Sequence, residues 1–371
     1  MTDFHENLSQ ATVTVAKSDL RTMLRLVRLL DRLSRNPVYR ERVYAQVPEV
    51  AAFDPGHDAV MMCYDFHLSG TGPKLIEVNT NAGGGMLAYL TRYPSLPLSA
   101  DSLKGRLRER LLQTFADEIR QFSGGGKDRP ERIVIIDDEP ERQYLFPEMR
   151  AFADLFVAWG VPVDIADPQQ LRASADGIWF AGQPVDLIYN RHCDFYLQSA
   201  SMAGLRDAYL ARKVCLTPNP HQYGLLADKR RMLLWSDPVQ RHAFSLTDAD
   251  QVLVDKTLPA CALLGDLDLA LVWSERKRRV FKPVDSFGSR GVLLGEKISR
   301  KRFDELPLAT TLVQELVPPS VTDVPGAEPM KTDLRLYAYR NRVLGVTARL
   351  YRGQVTNLRT PGGGFARVKV V

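Results

Sequence analysis

Two periods of hydrophobic and polar positions divide the chain into elements. Over SDLRTMLRLVRLLDRLSR (18–35) the apolar residues Leu20, Met23, Leu24, Val27, Leu30 and Leu33 recur at helical spacing, with Ser18 as the expected cap and Pro37 beyond the end. The arginines of the opposite face read as a solvated surface, with an anion-binding stripe as the alternative. AVMMCYDFHL (59–68) and KLIEVNTN (74–81) read as two strands joined by the turn SGTGP, the second running into Gly83, Gly84 and Gly85. A further helix is expected over 102–122, closed by the linker-like SGGGKDRP (123–130).

Beyond that linker the pattern becomes strand, helix, strand. ERIVIIDD (131–138), an apolar helix over Phe146–Trp159, VPVDIAD (161–167), VDLIYN (185–190), a helix over 201–212 and VCLTPNP (214–220) follow one another. Short apolar strands alternating with helices predict a parallel α/β unit. Ligands bind such sheets past the carboxyl ends of the strands, which points to Asp137, Asp138, Asn190 and Arg191. The last part, 221–371, reads as a helix over LLADKRRMLLWS, a strand RVFKPV (279–284), a glycine-bearing loop, TLVQELV (311–317), and a hairpin over 333–353 turning at Arg340–Arg342. Val368, Val370 and Val371 alternate like a strand, so Gly362, Gly363 and Gly364 are expected between elements rather than in a frayed tail.

Composition narrows the class. A chain of 371 residues with 45% hydrophobic and 25% charged positions is not collagen, coiled coil or a disordered segment, and its length predicts two or three domains. A net charge of +5 is too small a surplus to argue a nucleic-acid or membrane surface. No run approaches the roughly 18 apolar residues of a spanning helix, and MTDFHENLSQ lacks the form of a secretory leader, so a cytoplasmic protein is expected. The cysteines Cys63, Cys193, Cys215 and Cys261 form no C-x-x-C pair, which fits reduced thiols rather than a thiolate metal site.

Oxygen and cationic side chains cluster at particular places on this scaffold. Glu77 and Asn79 are two apart, so a strand turns them to one face, and Asp65 can lie opposite on the neighbouring strand. Three such side chains would suit Mg²⁺, which takes oxygen ligands and shares substrate phosphates. Tyr64, Phe66, Ile76 and Val78 are then the other, buried face. In FKPVDSFGSRG (281–291) a strand-end lysine precedes a loop with Gly288 and Gly291, an arrangement open to a bound phosphate or to an ordinary turn. Lys229 is a second candidate cation, although Lys229, Arg230 and Arg231 cannot all face one ligand from a helix. Asp333 and Arg335, two apart, make either a structural ion pair or a ligand-facing pair. No histidine is required, and Cys63 reads as a small buried packing residue.

In their order these segments resemble the ATP-grasp superfamily, and within it the circularly permuted branch that includes eukaryotic-type glutathione synthetase. YDFHLSGTGPKLIEVNTNAGG (64–84) stands at the front, and NLRTPGGG (357–364) near the end, the usual cycle of landmarks cut elsewhere. The resemblance implies a permuted ATP-grasp fold of α/β class with α+β lobes. Its parts are an amino-terminal portion over 1–122, an inserted α/β substrate-binding unit over 128–220, and a nucleotide-binding portion over 221–371. It implies Asp65, Glu77 and Asn79 as Mg²⁺ ligands, and Lys229 and Lys282 as ATP-phosphate lysines. Ser286, Gly288 and Gly291 fall in the lid loop, and Gln314, Glu315 and Val317 in a hinge receiving the adenine. Arg191, Arg359 and Gly362, Gly363 and Gly364 match substrate-holding positions, Arg335 and Arg359 match catalytic ones, and Arg349 matches a phosphate- or acid-holding one. Where the pattern has an acidic residue and three glycines after K-P, this chain has Asp285, Ser286, Phe287 and Gly288, which leaves Asp285 as an open further ligand.

The activity so implied is joining a small-molecule carboxylate to an amine at the expense of ATP with Mg²⁺, through an acyl phosphate, without nucleic acid or membrane; a homodimer is compatible with it. An ATP-grasp phosphotransferase and a non-catalytic nucleotide-binding protein are the alternatives.

Overall fold

The structure is a computed structural model and describes residues 8–103, 105–285, 291–354, 356–357 and 360–371. In chain order the first strands are β1 (Leu8–Val15), β2 (Met62–Ser69), β3 (Gly72–Asn79), β4 (Ile133–Ile136) and β5 (Val163–Ala166). A small hairpin sheet follows, β6 (Arg172–Ser174), β7 (Gly177–Phe180) and β8 (Gln183–Val185), then β9 (Leu187–Asn190) and β10 (Cys215–Thr217). The remainder are β11 (Cys261–Leu263), β12 (Arg279–Pro283), β13 (Leu293–Leu294), β14 (Thr311–Glu315), β15 (Ser320–Thr322), β16 (Met330–Tyr339), β17 (Arg342–Tyr351) and β18 (Gly364–Val370).

Pairing brings the two ends of the chain into one sheet. Its order is β1-β18-β17-β16-β2-β3, with β15 added to β16. β1 runs parallel to β18, and the β16–β17 hairpin inserts between β18 and β2. One face carries Tyr64, Phe66, Leu75, Val78, Leu334, Leu336, Ala348 and Leu350, and it packs on the helix Lys17–Leu33 through Met23, Leu26, Val27 and Leu30. The amphipathic pattern of that helix is thus satisfied. Ser18 does not cap it: the cap position is Ala16, and the first helical amide, Lys17 N–H, donates to the Val371 carbonyl at 2.7 Å. A backbone partner from the chain's other end takes the part assigned to a side chain.

The middle unit is the all-parallel sheet β10-β9-β4-β5, as the alternating pattern predicts. Ile133, Val134, Ile135 and Ile136 are fully buried between helices on both faces, which explains an apolar run without alternation. A further sheet, β11-β14-β12-β13, forms a small lobe over the open face of the large sheet. The helix expected over LLADKRRMLLWS is broken. A π-helical turn, Tyr223–Ala227, gives way to extended backbone at Asp228, and a new helix spans Arg231–Ser236. Asp228 enforces the break by accepting from the Arg230 N–H at 2.9 Å and from the Tyr196 hydroxyl at 2.6 Å. Among the described residues no helix is long and apolar enough to cross a membrane.

One buried carboxylate joins the parallel unit to the large sheet. Glu118, on the helix Arg106–Phe122, accepts from His57 Nδ1 at 2.9 Å, Thr217 Oγ1 at 2.9 Å, the Tyr339 hydroxyl at 2.8 Å and the Asp58 N–H at 3.2 Å. Glu118→Leu would strand these donors without water. We expect it to cost about 3–5 kcal/mol in urea unfolding, against less than about 1 kcal/mol for the same change at exposed Glu131.

Candidate functional site

Register across the large sheet places its charged residues in a row. Asp65 lies opposite Arg335 on one side and Glu77 on the other, and Asp333 lies opposite Arg349. With a side-chain period of two, Asp65, Asp333 and Arg335 turn away from the helix Lys17–Leu33, toward the small lobe. Arg335 grips Asp65 bidentately, Nε to Oδ1 at 2.7 Å and Nη2 to Oδ2 at 2.7 Å, and Arg349 Nη2 reaches Oδ2 at 3.0 Å. Arg349 also binds Asp333 bidentately, at 2.7 and 3.0 Å, and the Thr356 hydroxyl donates to Asp333 at 2.7 Å. Asp333 and Arg335 therefore do not pair with each other; each takes a partner on the neighbouring strand. Burial opposes ionisation of Asp65, but the charges of Arg335 and Arg349 outweigh it and hold the carboxyl well below the usual carboxylate range.

A β-bulge sets the edge of this row. Asp65 pairs with Glu77 and Phe66 with Leu75, so Ile76 is the additional residue of β3. Ile76 is consequently not a core partner of Val78. Leu75 is buried in its place, and Ile76 lines the clefts on either side of the strand. Lys282 at the end of β12 crosses to donate to the Ile76 carbonyl at 3.3 Å. Burial lowers the Lys282 pKa, with the charge of Glu77 opposing that shift.

Asp65, Glu77 and Asn79 do meet. Asn79 Nδ2 donates to Asp65 Oδ2 at 3.1 Å and to Glu77 Oε1 at 3.2 Å. Among the described residues no three carboxylate, thiol or imidazole side chains gather for a metal. The group is two carboxylates and one amide. Its donor chemistry fits Mg²⁺ through the Glu77 carboxylate and the Asn79 Oδ1, whereas Asp65 Oδ2 already receives three donors.

Two clefts meet at Glu77 and Lys282. The first, of about 130 Å³, lies between the large sheet and the small lobe; Val280, Leu294 and Leu316 supply apolar wall, and His67, Gln314, Asp333, Arg349 and Tyr351 are among its polar lining. The second holds Lys229 and Asn79 against Phe195, Tyr223, Met232 and Trp235. The three consecutive bases diverge. Lys229 lines the second cleft, Arg230 binds Asp228 at 2.8 Å, and Arg231 is buried against Gln46. The segment expected as the hinge is partly committed: the Glu315 and Leu316 amides donate to the Ala260 and Arg278 carbonyls, and the Val317 carbonyl accepts from His67 Nδ1 at 2.7 Å.

No protein-family model matches the chain, and no curated protein matches it by sequence. Among solved structures, a glutathione synthetase-like effector (GSS30) from Globodera pallida, in its apo form, superposes with a TM-score of 0.60 at 13% identity, over 98% of this chain and 90% of that one. A candidate gamma-glutamylcysteine synthetase from Methylobacillus flagellatus KT superposes with a TM-score of 0.51 at 13% identity, over 96% and 90%. This chain has a glutathione synthetase-like fold. At such identity the likeness concerns fold alone.

Within that fold the remaining candidates separate. Arg191 is brought to neither cleft: it is buried, its Nε donating to the Asn81 carbonyl at 3.3 Å and its Nη1 lying 3.4 Å from Glu148 Oε2. Glu148 also accepts from the Gly84 and Met86 amides at 2.7 and 2.9 Å, so the pair anchors the loop that follows Asn79. A Cβ at Gly83 would stand 2.2 Å from Arg191 Nη2, which is why glycine is needed there. Arg335 faces Asp65 rather than a cleft, and Arg349 is the arginine that lines one. Gly364 begins β18, and a Cβ at Gly363 would stand 2.5 Å from the Leu350 carbonyl, so the triple glycine is a tight connection against β17. Gly291 is described, with φ +73°. Ser286, Gly288 and Arg359 lie outside the described residues. Reading the residues alone set His67 aside as a satisfied or exposed histidine near the site and missed Tyr351, although both stand two positions from residues already singled out, the spacing that shares a strand face.

At the carboxyl end of β4, burial raises the Asp137 carboxyl to about 6, with Arg191 opposing in part. The folded chain then holds this proton where the unfolded chain has released it, so stability falls as pH rises from about 4 to about 6. Asp137→Asn should raise stability by up to about 3 kcal/mol at pH 7.5 and by nothing near pH 3.5, read by denaturant unfolding at both.

Proposed function

We propose that the protein is an ATP-dependent carboxylate–amine ligase of the permuted ATP-grasp type. The observation that carries this reading is the meeting of Glu77, Asn79, Lys229 and Lys282 at the junction of two clefts, one with a hinge-like apolar wall. The glutathione synthetase-like fold supports it, as does a sheet in which strands from the front and back of the chain are neighbours, the arrangement a permuted chain requires. In this reading 1–122 and 221–371 build one nucleotide-binding body around the 128–220 unit, and the protein works in the cytoplasm on small molecules.

The nucleotide base would lie in the cleft lined by Gln314 to Val317, with its phosphates directed to Lys282 and Lys229. Glu77 and Asn79 would hold Mg²⁺, which when bound neutralises phosphate charge. Asp65 then serves as the residue that fixes Asn79, Arg335 and Arg349 in place. The substrate carboxylate attacks the γ-phosphorus, the bond to ADP breaks, and an acyl phosphate forms. The amine next attacks the acyl carbon, loses its proton, and expels phosphate to leave the amide. Lys282 and Arg349 supply fixed positive charge where oxyanion charge develops, and the small lobe keeps water away.

ADP release measured against paired panels of acids and amines tests the reading. Glu77→Gln should lower turnover at least about 100-fold while the melting temperature stays within a few degrees, because a charged ligand is lost with little change in volume. Unaltered ADP production in that variant would refute the placement. With the amine replaced by hydroxylamine, a hydroxamate should accumulate; ADP release without hydroxamate would point instead to a phosphotransferase.

A further inference from the structure

His67 is a polar group of the nucleotide cleft that no resemblance assigns. It stands on β2 two residues beyond Asp65, on the same strand face, and it lines the cleft between the large sheet and the hinge. Its Nδ1 lies 2.7 Å from the Val317 carbonyl. A carbonyl only accepts, so Nδ1 carries the proton and the neutral ring has its lone pair on Nε2. That bond also fixes the ring plane against the irregular segment between β14 and β15. Among the described residues no hydrogen bond engages Nε2, and it is not among the fully buried atoms lacking a partner, so it keeps access to the cleft. A second observation concerns the same wall: Gln314, 2% exposed, lines the cleft, and among the described residues its Nε2 has no hydrogen-bond partner within bonding distance.

We propose that His67 is a nucleoside-recognition residue: its Nε2 accepts a hydrogen bond from an N–H or O–H of the bound adenosine, while its Nδ1–H holds the hinge at Val317. The inference rests on the nucleotide reading of the cleft and adds to it a side chain from the opposite sheet. The neighbouring charges are compatible with an acceptor here, since Lys282 and Arg349 are directed to Ile76 and Asp333. Two sources of donor fit, the exocyclic amine of the base and a ribose hydroxyl, and analogues separate them.

Calorimetry with adenosine, inosine, 2′-deoxyadenosine and 3′-deoxyadenosine provides the test, because none of these probes carries phosphate to mask the contact. The wild-type chain should bind at least one donor-lacking analogue about tenfold more weakly than adenosine. Inosine identifies the base amine, and a deoxy analogue the hydroxyl. His67→Asn reproduces the Nδ1–H donor to Val317 but not the distal acceptor, so it should fold and lose that discrimination. His67→Gln places an amide oxygen near Nε2 and should retain it. If His67→Asn discriminates as the wild type does, or the wild type binds all four alike, the proposal is overturned while the nucleotide reading stands. If neither adenosine nor ATP binds the wild type, the nucleotide reading fails and the proposal with it.

Discussion

The buried carboxylate of Asp65, held between Arg335 and Arg349, is the interaction on which the site depends. A lone carboxylate at 2% exposure would be costly to keep ionised, and two guanidiniums would be no less costly without it. Together they are tolerated because every contact is short and three neighbouring strands each contribute one residue: Asp65 from β2, Arg335 from β16 and Arg349 from β17. The arrangement also has a single register. Sliding β16 by one residue would bury Arg335 against the helix Lys17–Leu33 and expose Leu334 or Leu336 to the charged face. Electrostatic pairing and hydrophobic burial thus choose the same alignment, which gives a fixed geometry to whatever the row of charges faces.

From that fixed point the bulge at Ile76 becomes intelligible. An additional residue in β3 keeps Glu77 opposite Asp65 while Leu75 still reaches the core, and it frees the Ile76 carbonyl for Lys282. A lysine from the small lobe is thereby tied to the edge of the large sheet. Beside the His67–Val317 bond, the contact here is a cation on a backbone oxygen. Such a contact can be exchanged for a phosphate oxygen at little cost, since an ammonium is satisfied by any of several acceptors.

Legibility in the sequence followed the range of the forces involved. The parallel unit was readable because local apolar runs such as IVII and LIYN bury on both faces, and the hairpin at Arg340 because its turn and its alternation are contiguous. Glu77 and Asn79 were readable as a same-face pair for the same local reason. What depended on register was not. The partners of Asp333 and Arg335 lie on other strands, β1 finds its partner over 350 residues away, and Ile76 changes face only because its strand is one residue longer than its neighbour's course. The break at Asp228 was hidden differently: an apolar period continues through LLADKRRMLLWS, and only the Tyr196 hydroxyl and the Arg230 amide reveal why the helix stops.

Charge balance then separates groups that hold the fold from groups that can hold a ligand. Asp65, Asp333 and Glu77 face Arg335, Arg349 and Lys282, three anions against three cations, so the protein alone is nearly neutral along this row. Within it, among the described residues, Asp65 Oδ2 receives three donors and Asp333 Oδ2 two, while Glu77 Oε1 receives the Asn79 amide alone. Spare acceptor capacity is therefore concentrated at Glu77 and at the Asn79 oxygen, and spare donor capacity at Lys282, whose single described bond is to a backbone carbonyl. In the proposed reading a divalent cation and a nucleotide polyphosphate added together would use these capacities, the cation offsetting part of the polyanion's charge. The polyanion alone would unbalance the row most, which under that reading is a physical reason for the nucleotide to enter with its metal.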